Sequence, residues 1–509
     1  MSNEQHNKTD KDSGYDDILK YAGLFGGVQG MVNLITLLKV VLLSKLLGPI
    51  GVGIVDIYNR SVELVKKAAD LGISYSAVRA ISEQRGVDGA EADGMMAYAV
   101  RVVRSWALWM ALAGTLLFFL LAPILCRWSF DGDSSHTLMF CFLSLSVGCS
   151  LLMGGELAVL KGARMLGRVA WYQLLSAVVM LAIVVPCYYF WRLEGIVPSL
   201  LLCAVGLLLT ACYHSFKVYP YRVSLFSRRV LADGLYIIRQ GVNYTLANLF
   251  NSSAYYFVSV YIFNTGSAAD VGCYSYGVLL ISYLSMLVFS ALDSDFFPRL
   301  SAVNKHRERS NDLTNSYVEV LLVLIAPLVI CFAVCLPLVT LLFFDEEFMP
   351  LVGMAQWAVV GLVFKALLMP PANLSLSKGD SRVFLLQEVV SYLFMVAVMA
   401  LGFRYYGLVG MGIGILLSNM FDWISVWVIT AGFYRFRYTS RVWYLFMQQF
   451  PLIVLMRVAV HLCHGWMYIL LGMFCTLLSA ILSLRFLHRN TDFLRRFTAK
   501  FKGLTYKKS

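Results

Sequence analysis

The chain has 509 residues, of which 59% are hydrophobic and only 14% are charged, with a formal net charge of +12. A soluble domain carries roughly 25% charged residues, and one water-soluble core of this length is unusual. The composition therefore excludes an ordinary soluble protein and predicts an all-α polytopic membrane protein. The positive charge does not indicate nucleic-acid binding, because the Lys and Arg residues lie in short loops and at the C-terminus, where membrane topology places them.

The chain starts with a polar stretch that lacks the apolar core of a signal peptide, so residues 1–20 are predicted to be a cytoplasmic tail. A spanning helix needs about 20 predominantly apolar residues, and the sequence predicts about fourteen transmembrane helices. The first, second and seventh are the most polar. The predicted helices lie at 21–46, 51–79, 98–126, 137–160, 169–191, 195–215, 234–263, 270–296, 314–344, 350–375, 382–403, 407–433, 446–463 and 466–486.

Basic residues alternate between the two sides of this predicted bundle. Loops on one side carry several each, and Arg101 and Arg104 at the start of the third helix are counted with them. Loops on the other side carry at most one, such as Arg127 or Arg192. Because positively charged loops stay in the cytoplasm, both termini are expected to be cytoplasmic.

Two segments of the chain resemble each other. Gly51 to Arg79 and Val271 to Arg299 have equal lengths, and both contain a Val-Gly pair, a Tyr a few residues later and a terminal Arg. Repeated halves around a midplane site are common in transporters, so we expect two pseudo-repeated six-helix halves around a central cavity. The expected organisation is a first half at 21–215 (helices 1–6), a basic cytoplasmic linker at 216–232, a second half at 233–434 (helices 7–12), helices 13–14 at 446–486 and a basic cytoplasmic tail at 487–509.

The second predicted helix carries a line of charge. Asp56, Arg60, Glu63, Lys67 and Asp70 follow one another at spacings of 4, 3, 4 and 3, so they share one helix face. A charge at bilayer depth costs about 2.5–3.5 kcal/mol on insertion scales and is tolerated when it faces a protein interior or a water-filled cavity. The pattern predicts a polar cavity. Pairing within the helix, between residues four or three apart, is an alternative that is compatible with it.

The stretch LLGPIGVGIVDIYNRSVELVKKAADLGISYSAVRAISE at the first and second helices resembles the start of Wzx-type polysaccharide flippases, which have an LLGP-x-G-x-G turn after helix 1. These flippases belong to the multidrug/oligosaccharidyl-lipid/polysaccharide exporter superfamily, and the 6+6+2 helix plan is similar to theirs. The resemblance implies a transporter, not an enzyme, with no cofactor. It would move undecaprenyl-diphosphate-linked oligosaccharide repeat units from the inner to the outer leaflet of a bacterial inner membrane by alternating access.

Such a transporter would supply surface polysaccharide such as O-antigen, capsule or exopolysaccharide. Its expected partners are the lipid-linked oligosaccharide, membrane lipids, a polysaccharide polymerase and a chain-length regulator. Whether transport is coupled to H⁺, to Na⁺ or to no ion stays open at this point. The eleven Cys residues are scattered without a CxxC pair, which favours packing roles over metal binding.

A diphosphate requires cations, and a glycan requires hydroxyl, amide and aromatic partners. Residues 240, 244, 248, 251 and 255 place amide and Tyr side chains on one face of helix 7. Snorkelling to the surface is the alternative for Arg239, and pairing with Glu388 is the alternative for Lys365. The candidate substrate-binding residues are Gln29, Asn33, Lys39, Asp56, Arg60, Glu63, Lys67, Arg239, Asn248, Asn251, Tyr255 and Lys365.

Three carboxylates in apolar segments, Glu156, Glu388 and Asp422, are candidates for ion coupling, with pairing to a cation as the alternative for each. Pro370 and Pro371 interrupt the tenth helix, which predicts either a hinge or a static kink.

Two other classes remain open. An ion-coupled multidrug antiporter of the same superfamily would need a smaller and more acidic cavity. A membrane-embedded polysaccharide polymerase or ligase usually needs a large outward loop, whereas no outward loop here exceeds about a dozen residues, and the sequence has no HExxH, Gly-rich phosphate loop or nucleophile elbow.

Overall fold

A computed structural model describes the backbone of residues 2–84, 92–462 and 466–490; it does not describe the side chains of residues 2–26, 92–93, 240, 243–244, 291–294, 381, 460–462, 466 and 489–490. Within these limits the chain forms fourteen α-helices and two short 3-10 helices, and no β-strand. The prediction of an all-α polytopic membrane protein is confirmed.

The helices follow one another with short connections. In chain order they are α1 (Ser2–Asp70), α2 (Ile73–Gln84), α3 (Ala92–Ser129), α4 (Thr137–Gly162), α5 (Leu166–Trp191), α6 (Ile196–Phe216), α7 (Arg228–Thr265), α8 (Ala268–Val303), α9 (Arg307–Phe343), α10 (Pro350–Ala358), α11 (Gly361–Ser377), α12 (Ser381–Phe433), α13 (Ser440–Leu462) and α14 (Trp466–Asn490). The 3-10 helices are Arg192–Gly195 and Glu346–Phe348. The predicted N-terminal tail is part of α1, and the predicted basic tail lies outside the described residues from 491 onward.

Two of the helices are each two helices joined at a sharp kink. Gly48 in α1 has φ 63° and ψ −176°, and Gly407 in α12 has φ 56° and ψ −141°. Glycine adopts such positive φ values without steric cost. Pro49 follows the first kink and opens the next helix, where its missing N–H is no loss. The predicted turns after residues 46 and 403 therefore fall at these kinks.

Ten stretches of the described chain are long and apolar enough to cross a membrane. Three of them, Gly27–Asp70, Leu166–Phe216 and Arg382–Phe433, have 44, 51 and 52 residues, about twice the length that one crossing needs. The polar helix α7 is not among the ten. With these three stretches counted twice and α7 added, the helices agree with the predicted fourteen crossings.

The chain divides into two compact units, Met1–Val271 and Gly272–Ser509. In the first unit α3 packs on α4, α1 on α5, and α6 on both α4 and α5. Helix α7 packs on α1, α2 and α3, so by contacts it groups with the first six predicted helices. In the second unit α9 contacts α11, α13 and α14, while α12 packs on α10 and α11.

The packing of α7 depends on a close approach of two glycines. Gly72, with φ +82°, lies in the turn between α1 and α2, and a Cβ atom added to it would lie 2.7 Å from the carbonyl oxygen of Gly241 in α7. A Cβ atom on Gly241 would lie equally close to the carbonyl oxygen of Gly72. Only glycine at both positions permits this contact, which sets the charged end of α1 beside α7.

Pro371 in α11 lacks the N–H that would bond to the carbonyl of Leu367. The hydroxyl of Tyr438, in the loop after α12, donates to that carbonyl at 2.9 Å, and the hydroxyl oxygen accepts a bond from Trp423 Nε1 at 3.2 Å. The freed carbonyl therefore has a fixed partner from another element, which favours the static kink over the hinge for Pro370 and Pro371.

Candidate functional site

An ion pair lies at the start of the charged face of α1 and is contacted by α7. Arg60 Nε donates to Asp56 Oδ2 at 2.6 Å. The same carboxylate oxygen accepts a hydrogen bond from Ser259 Oγ of α7 at 2.8 Å. The guanidinium of Arg60 lies over the ring of Tyr255, 5.4 Å from its centroid. Two helices therefore position one cation, one anion and one aromatic ring together.

The face becomes more accessible along α1. The side chains of Asp56 and Arg60 are 11% and 21% accessible, whereas those of Lys67 and Glu63 are 34% and 44% accessible. Glu63 pairs with Lys67 at 3.5 Å and also with Lys66 at 3.4 Å. Arg60 and Lys67 are therefore paired within the helix, and the paired side chains remain partly accessible. The predicted polar cavity stays a prediction.

The last carboxylate of the face has a local partner. Ser74 Oγ of α2 donates to Asp70 Oδ1 at 2.5 Å, a bond that spans the turn at Gly72. Asp70 thus joins α1 to α2 beside the contact with α7, which indicates a structural contribution.

The polar stripe of α7 is only partly described. Asn248, Asn251 and Tyr255 are half-buried, and each has further interactions. The side chains of Gln240 and Tyr244 lie outside the described residues. Arg239 is exposed near the Gly241 contact, in agreement with the snorkelling alternative.

The polar residues of the first half of α1 lie before the kink at Gly48. Gln29 Nε2 donates to Asn33 Oδ1 at 3.0 Å, one helical turn apart. Lys39 is half-buried and lies near Cys203 of α6. Among the described carboxylates, none lies within 4.0 Å of its ammonium group.

The second unit contains its own half-buried cation. Lys365 Nζ of α11 donates to Ser285 Oγ of α8 at 3.1 Å and lies 5.4 Å from the ring centroid of Phe289. The alternative ion pair with Glu388 is not formed between these two described side chains. A serine hydroxyl does not neutralise a charge, so Lys365 remains a candidate for binding an anion.

Two of the three candidate coupling carboxylates lie together on the two arms of α12. Asp422 lies near Ser391 and Glu388 and interacts with both. Glu388 interacts with Tyr392 one turn along the same arm. The Oδ1 atom of Asp422 is buried without a hydrogen-bond partner among the described atoms. The pair has the composition of a site for a proton or a small cation.

The third carboxylate, Glu156 of α4, is part of a closed ion pair. Arg104 Nε lies 2.9 Å from Glu156 Oε1, and Arg104 Nη2 lies 3.0 Å from Glu156 Oε2. The remaining donors of the guanidinium bind Ser215 Oγ and the carbonyls of Tyr219 and Pro220 at 2.8–3.1 Å. The two side chains are 1% and 6% accessible. The counting of Arg104 as a loop charge was wrong, because its ion pair keeps it inside the bundle.

A sequence model for a family described as polysaccharide biosynthesis protein matches residues 42–353, which include the charged face of α1, all of α7 and the Arg104–Glu156 pair. The chain belongs to this family. No curated protein matches the chain.

Solved structures show which fold the family member has. A lipid II flippase, MurJ, in an inward closed conformation matches with a TM-score of 0.69 and 13% identity, over 92% of this chain and 99% of that one. An inward-facing MATE multidrug resistance transporter of the MOP superfamily matches with a TM-score of 0.65 and 17% identity, over 81% and 95%. A MOP superfamily transporter from Pyrococcus furiosus matches with a TM-score of 0.54 and 18% identity, over 81% and 93%. At these identities the likeness shows the fold of the chain and no more.

The sequence patterns did not indicate the neutral partners of Asp56 and Lys365, which are Ser259 and Ser285. Ser259 follows the predicted stripe of α7 by one turn beyond Tyr255, so an extension of the same face could have found it. Ser285 lies in an apolar stretch of α8 with no distinguishing pattern. Each serine binds a charged residue on a helix that is distant in sequence. A pattern within one helix therefore does not indicate the pair.

Proposed function

We propose that the chain is a flippase that moves undecaprenyl-diphosphate-linked oligosaccharide repeat units from the inner to the outer leaflet, for O-antigen, capsule or exopolysaccharide assembly, by alternating access. Membership of a polysaccharide biosynthesis family supports a role in glycan assembly. The fold likeness to a lipid II flippase supports movement of a lipid-linked substrate.

The proposal depends on the position of Arg60 and on the residues that contact it. Its guanidinium is held by Asp56 through a bond within the helix and by the ring of Tyr255, yet its side chain is 21% accessible. A guanidinium can take a second acceptor such as a diphosphate oxygen, and charge-assisted bonds of this kind are roughly twice as strong as neutral ones. The remaining candidate cations, Lys39, Lys67, Arg239 and Lys365, would contribute further positive charge.

The aromatic and amide groups of α7 suit the sugars of the same substrate. Tyr255 presents a flat ring beside the cation, and Asn251 and Asn248 lie one and two turns away on the same face. The isoprenoid tail would stay among membrane lipids. Glu388 and Asp422 would carry H⁺ or Na⁺ if transport is ion-coupled, with Glu156 a weaker candidate because its oxygens are already bound to Arg104.

The proposal includes location and partners. The protein would lie in a bacterial inner membrane with both termini in the cytoplasm, as the loop charges require. A polysaccharide polymerase and a chain-length regulator would receive its product. No cofactor is part of the proposed transport cycle.

An ion-coupled multidrug antiporter is the second candidate, favoured by the fold likeness to a multidrug transporter and by the carboxylates on α12. The positive charge of Arg60 would repel a cationic drug, whereas it would attract an anionic lipid diphosphate. Replacing this residue by a neutral one would relieve repulsion of a cation but remove attraction of a diphosphate, so the same variant separates the two functions. A polymerase or ligase has no specific observation in its favour.

The test is complementation of a deletion strain with wild-type, Arg60→Ala, Arg60→Lys and Arg79→Ala chains. Arg79 is the matched control, because its pair with Glu83 is also between residues four apart but is 67% and 57% accessible. We expect Arg60→Ala to lower surface polysaccharide at least tenfold and to accumulate lipid-linked repeat units, with partial function in Arg60→Lys. Equal export by Arg60→Ala and Arg79→Ala, at equal protein levels, would exclude Arg60 from the mechanism.

A further inference from the structure

One cation of the second unit, Arg457, is not among the candidate site residues described above. Arg457 is in α13, and its guanidinium lies 4.1 Å from the ring centroid of Trp357 in α10. It is 17 residues after the start of α13 at Ser440, which places it about 25 Å along a helix axis that rises 1.5 Å per residue. Since the hydrocarbon core is about 30 Å thick, a helix that enters the membrane near Ser440 brings Arg457 close to the opposite lipid head-group layer.

The guanidinium of Arg457 has no ionic partner in the described part of the chain. None of the described carboxylates lies within 4.0 Å of it. Its Nε atom is buried and has no hydrogen-bond partner among the described atoms. A buried donor without an acceptor is costly, and more so when it is charged, so the site favours a ligand that brings negative acceptor oxygens to the guanidinium.

The part of α10 that carries Trp357 is held in place by a carbonyl group that a proline in α9 leaves unbonded. Pro337 in α9 has no N–H to donate to the carbonyl of Ala333. That carbonyl accepts bonds from Gln356 Nε2 of α10 at 3.0 Å and from the Tyr468 hydroxyl of α14 at 3.0 Å. Gln356 directly precedes Trp357, so the proline-freed carbonyl fixes the helix that presents the indole ring.

Because the Nε atom of Arg457 is buried, a ligand would be bound by the two terminal nitrogens of the guanidinium. The ring of Trp357 covers one face of the planar cation, whereas the N–H donors of an arginine point outward in the plane. Simple snorkelling to the membrane surface would extend the side chain away from the protein, but the 4.1 Å stack holds it against α10. The charge is thus held at a fixed place instead of moving to water.

The surroundings of the cation are suited to acyl chains. Apolar side chains next to it on α13, Val454, Leu455 and Val458, remain accessible at 43–46%. A ligand that places phosphate oxygens at Arg457 and hydrocarbon along these side chains satisfies both features of the site.

We propose that Arg457 and Trp357 form a binding site for the phosphate-bearing head group of an anionic lipid, separate from the charged face of α1. An anionic phospholipid and a polyprenyl phosphate both have this chemistry. The site does not depend on the proposed flippase function, since it requires only a lipid phosphate at this depth of the membrane.

The test uses the purified full chain in detergent and native mass spectrometry, with phosphatidylglycerol, undecaprenyl phosphate or phosphatidylcholine added in separate titrations. We expect Arg457→Gln to weaken binding of one phosphatidylglycerol or undecaprenyl phosphate molecule about tenfold, as expected for loss of a charge-assisted contact. Trp357→Leu should weaken it less, because the cation remains but is no longer held. Whichever anionic lipid binds wild-type protein more tightly identifies the source of the head group.

Arg441→Gln is the matched control, because Arg441 is an exposed cation at the other end of the same helix. It should leave the tight site unchanged. Equal affinity of wild type and Arg457→Gln for both anionic lipids would overturn the proposal, as would phosphatidylcholine binding at the same affinity and with the same dependence on Arg457. Melting temperatures without lipid, measured in parallel, identify a variant that fails to fold, and Arg457→Lys then provides the comparison.

Discussion

Two arginine–carboxylate pairs in the first unit differ in how completely they are closed. The Arg104–Glu156 pair joins α3 to α4, is 1% and 6% accessible, and has every donor group engaged by protein oxygens. The Arg60–Asp56 pair joins two turns of one helix and is 21% and 11% accessible. The same chemistry thus serves packing when it is enclosed, and it can serve binding where a ligand is able to reach it.

The surroundings of the closed pair explain its role. Arg104 bonds to the carbonyls of Tyr219 and Pro220 and lies 5.1 Å from the ring centroid of Phe216. The indole of Trp106 donates to the carbonyl of Val230 at 3.2 Å, and the amide of Ser224 donates to Ser105 Oγ at 2.9 Å. Helix α3 therefore binds both the segment between α6 and α7 and the first turn of α7.

The largest expected effect comes from opening the closed pair. Glu156→Ala leaves the buried guanidinium of Arg104 without its anion, and removing one partner of a buried pair costs about 3–5 kcal/mol. We expect a strong loss of folded protein and a lower melting temperature in detergent, measured by size-exclusion chromatography after heating. Restoration by Arg104→Met in the same chain would be partial, because two carbonyls lose their donor. An unchanged melting temperature in Glu156→Ala would contradict the assigned packing role.

A substitution in the open Arg60–Asp56 pair should change transport more than stability. Asp56→Asn keeps an acceptor for Ser259 but removes the anion beside Arg60, and a partly accessible pair contributes about 1 kcal/mol or less. We expect a small change in melting temperature together with a several-fold change in polysaccharide export, because the charge presented to a diphosphate has changed. If the melting temperature and export fall in proportion, the Arg60–Asp56 pair contributes to packing, as the Arg104–Glu156 pair does, and its assigned binding role is contradicted.

The smallest effect is expected at the exposed pair of α2. Arg79 Nε lies 2.8 Å from Glu83 Oε1, and both side chains are largely exposed. Pairs between residues four apart contribute roughly 0.2–0.5 kcal/mol to a helix. Arg79→Ala should therefore leave both the melting temperature and export within error of wild type. A large loss of export in this variant, with normal folding, would show that accessibility alone does not distinguish the pairs.

The sequence predicted features that repeat within one helix. Runs of apolar residues gave the fourteen crossings, and charge at spacings of four and three gave the face on α1 that the structure pairs as Asp56–Arg60 and Glu63–Lys67. The turn near Gly48 was also predictable, since Gly and Pro stand together there. In each case the residues that form the sequence pattern are the same residues that form the structural feature, or lie within a few positions of them.

Features that depend on how helices meet were not predictable. The predicted second helix ran through residue 79, but it breaks at Leu71 and Gly72, because this turn contacts Gly241 of α7. Arg104 and Glu156 are 52 positions apart, so no spacing rule could pair them. The bond from Tyr438 to the carbonyl of Leu367 spans 71 positions. These contacts follow from tertiary packing, which one sequence does not specify by pattern.

The most direct measurement is lipid-linked glycan movement in vesicles that contain the purified chain. An undecaprenyl-diphosphate-linked oligosaccharide with a fluorescent sugar is distributed in both leaflets, and a membrane-impermeant reagent bleaches the outward-facing label. Our account predicts that wild-type protein makes nearly all of the label bleachable, whereas Arg60→Ala leaves the inner-leaflet fraction protected as in protein-free vesicles. If wild-type protein leaves that fraction protected under every ion gradient applied, or if Arg60→Ala exposes it as fast as wild type, the account is contradicted.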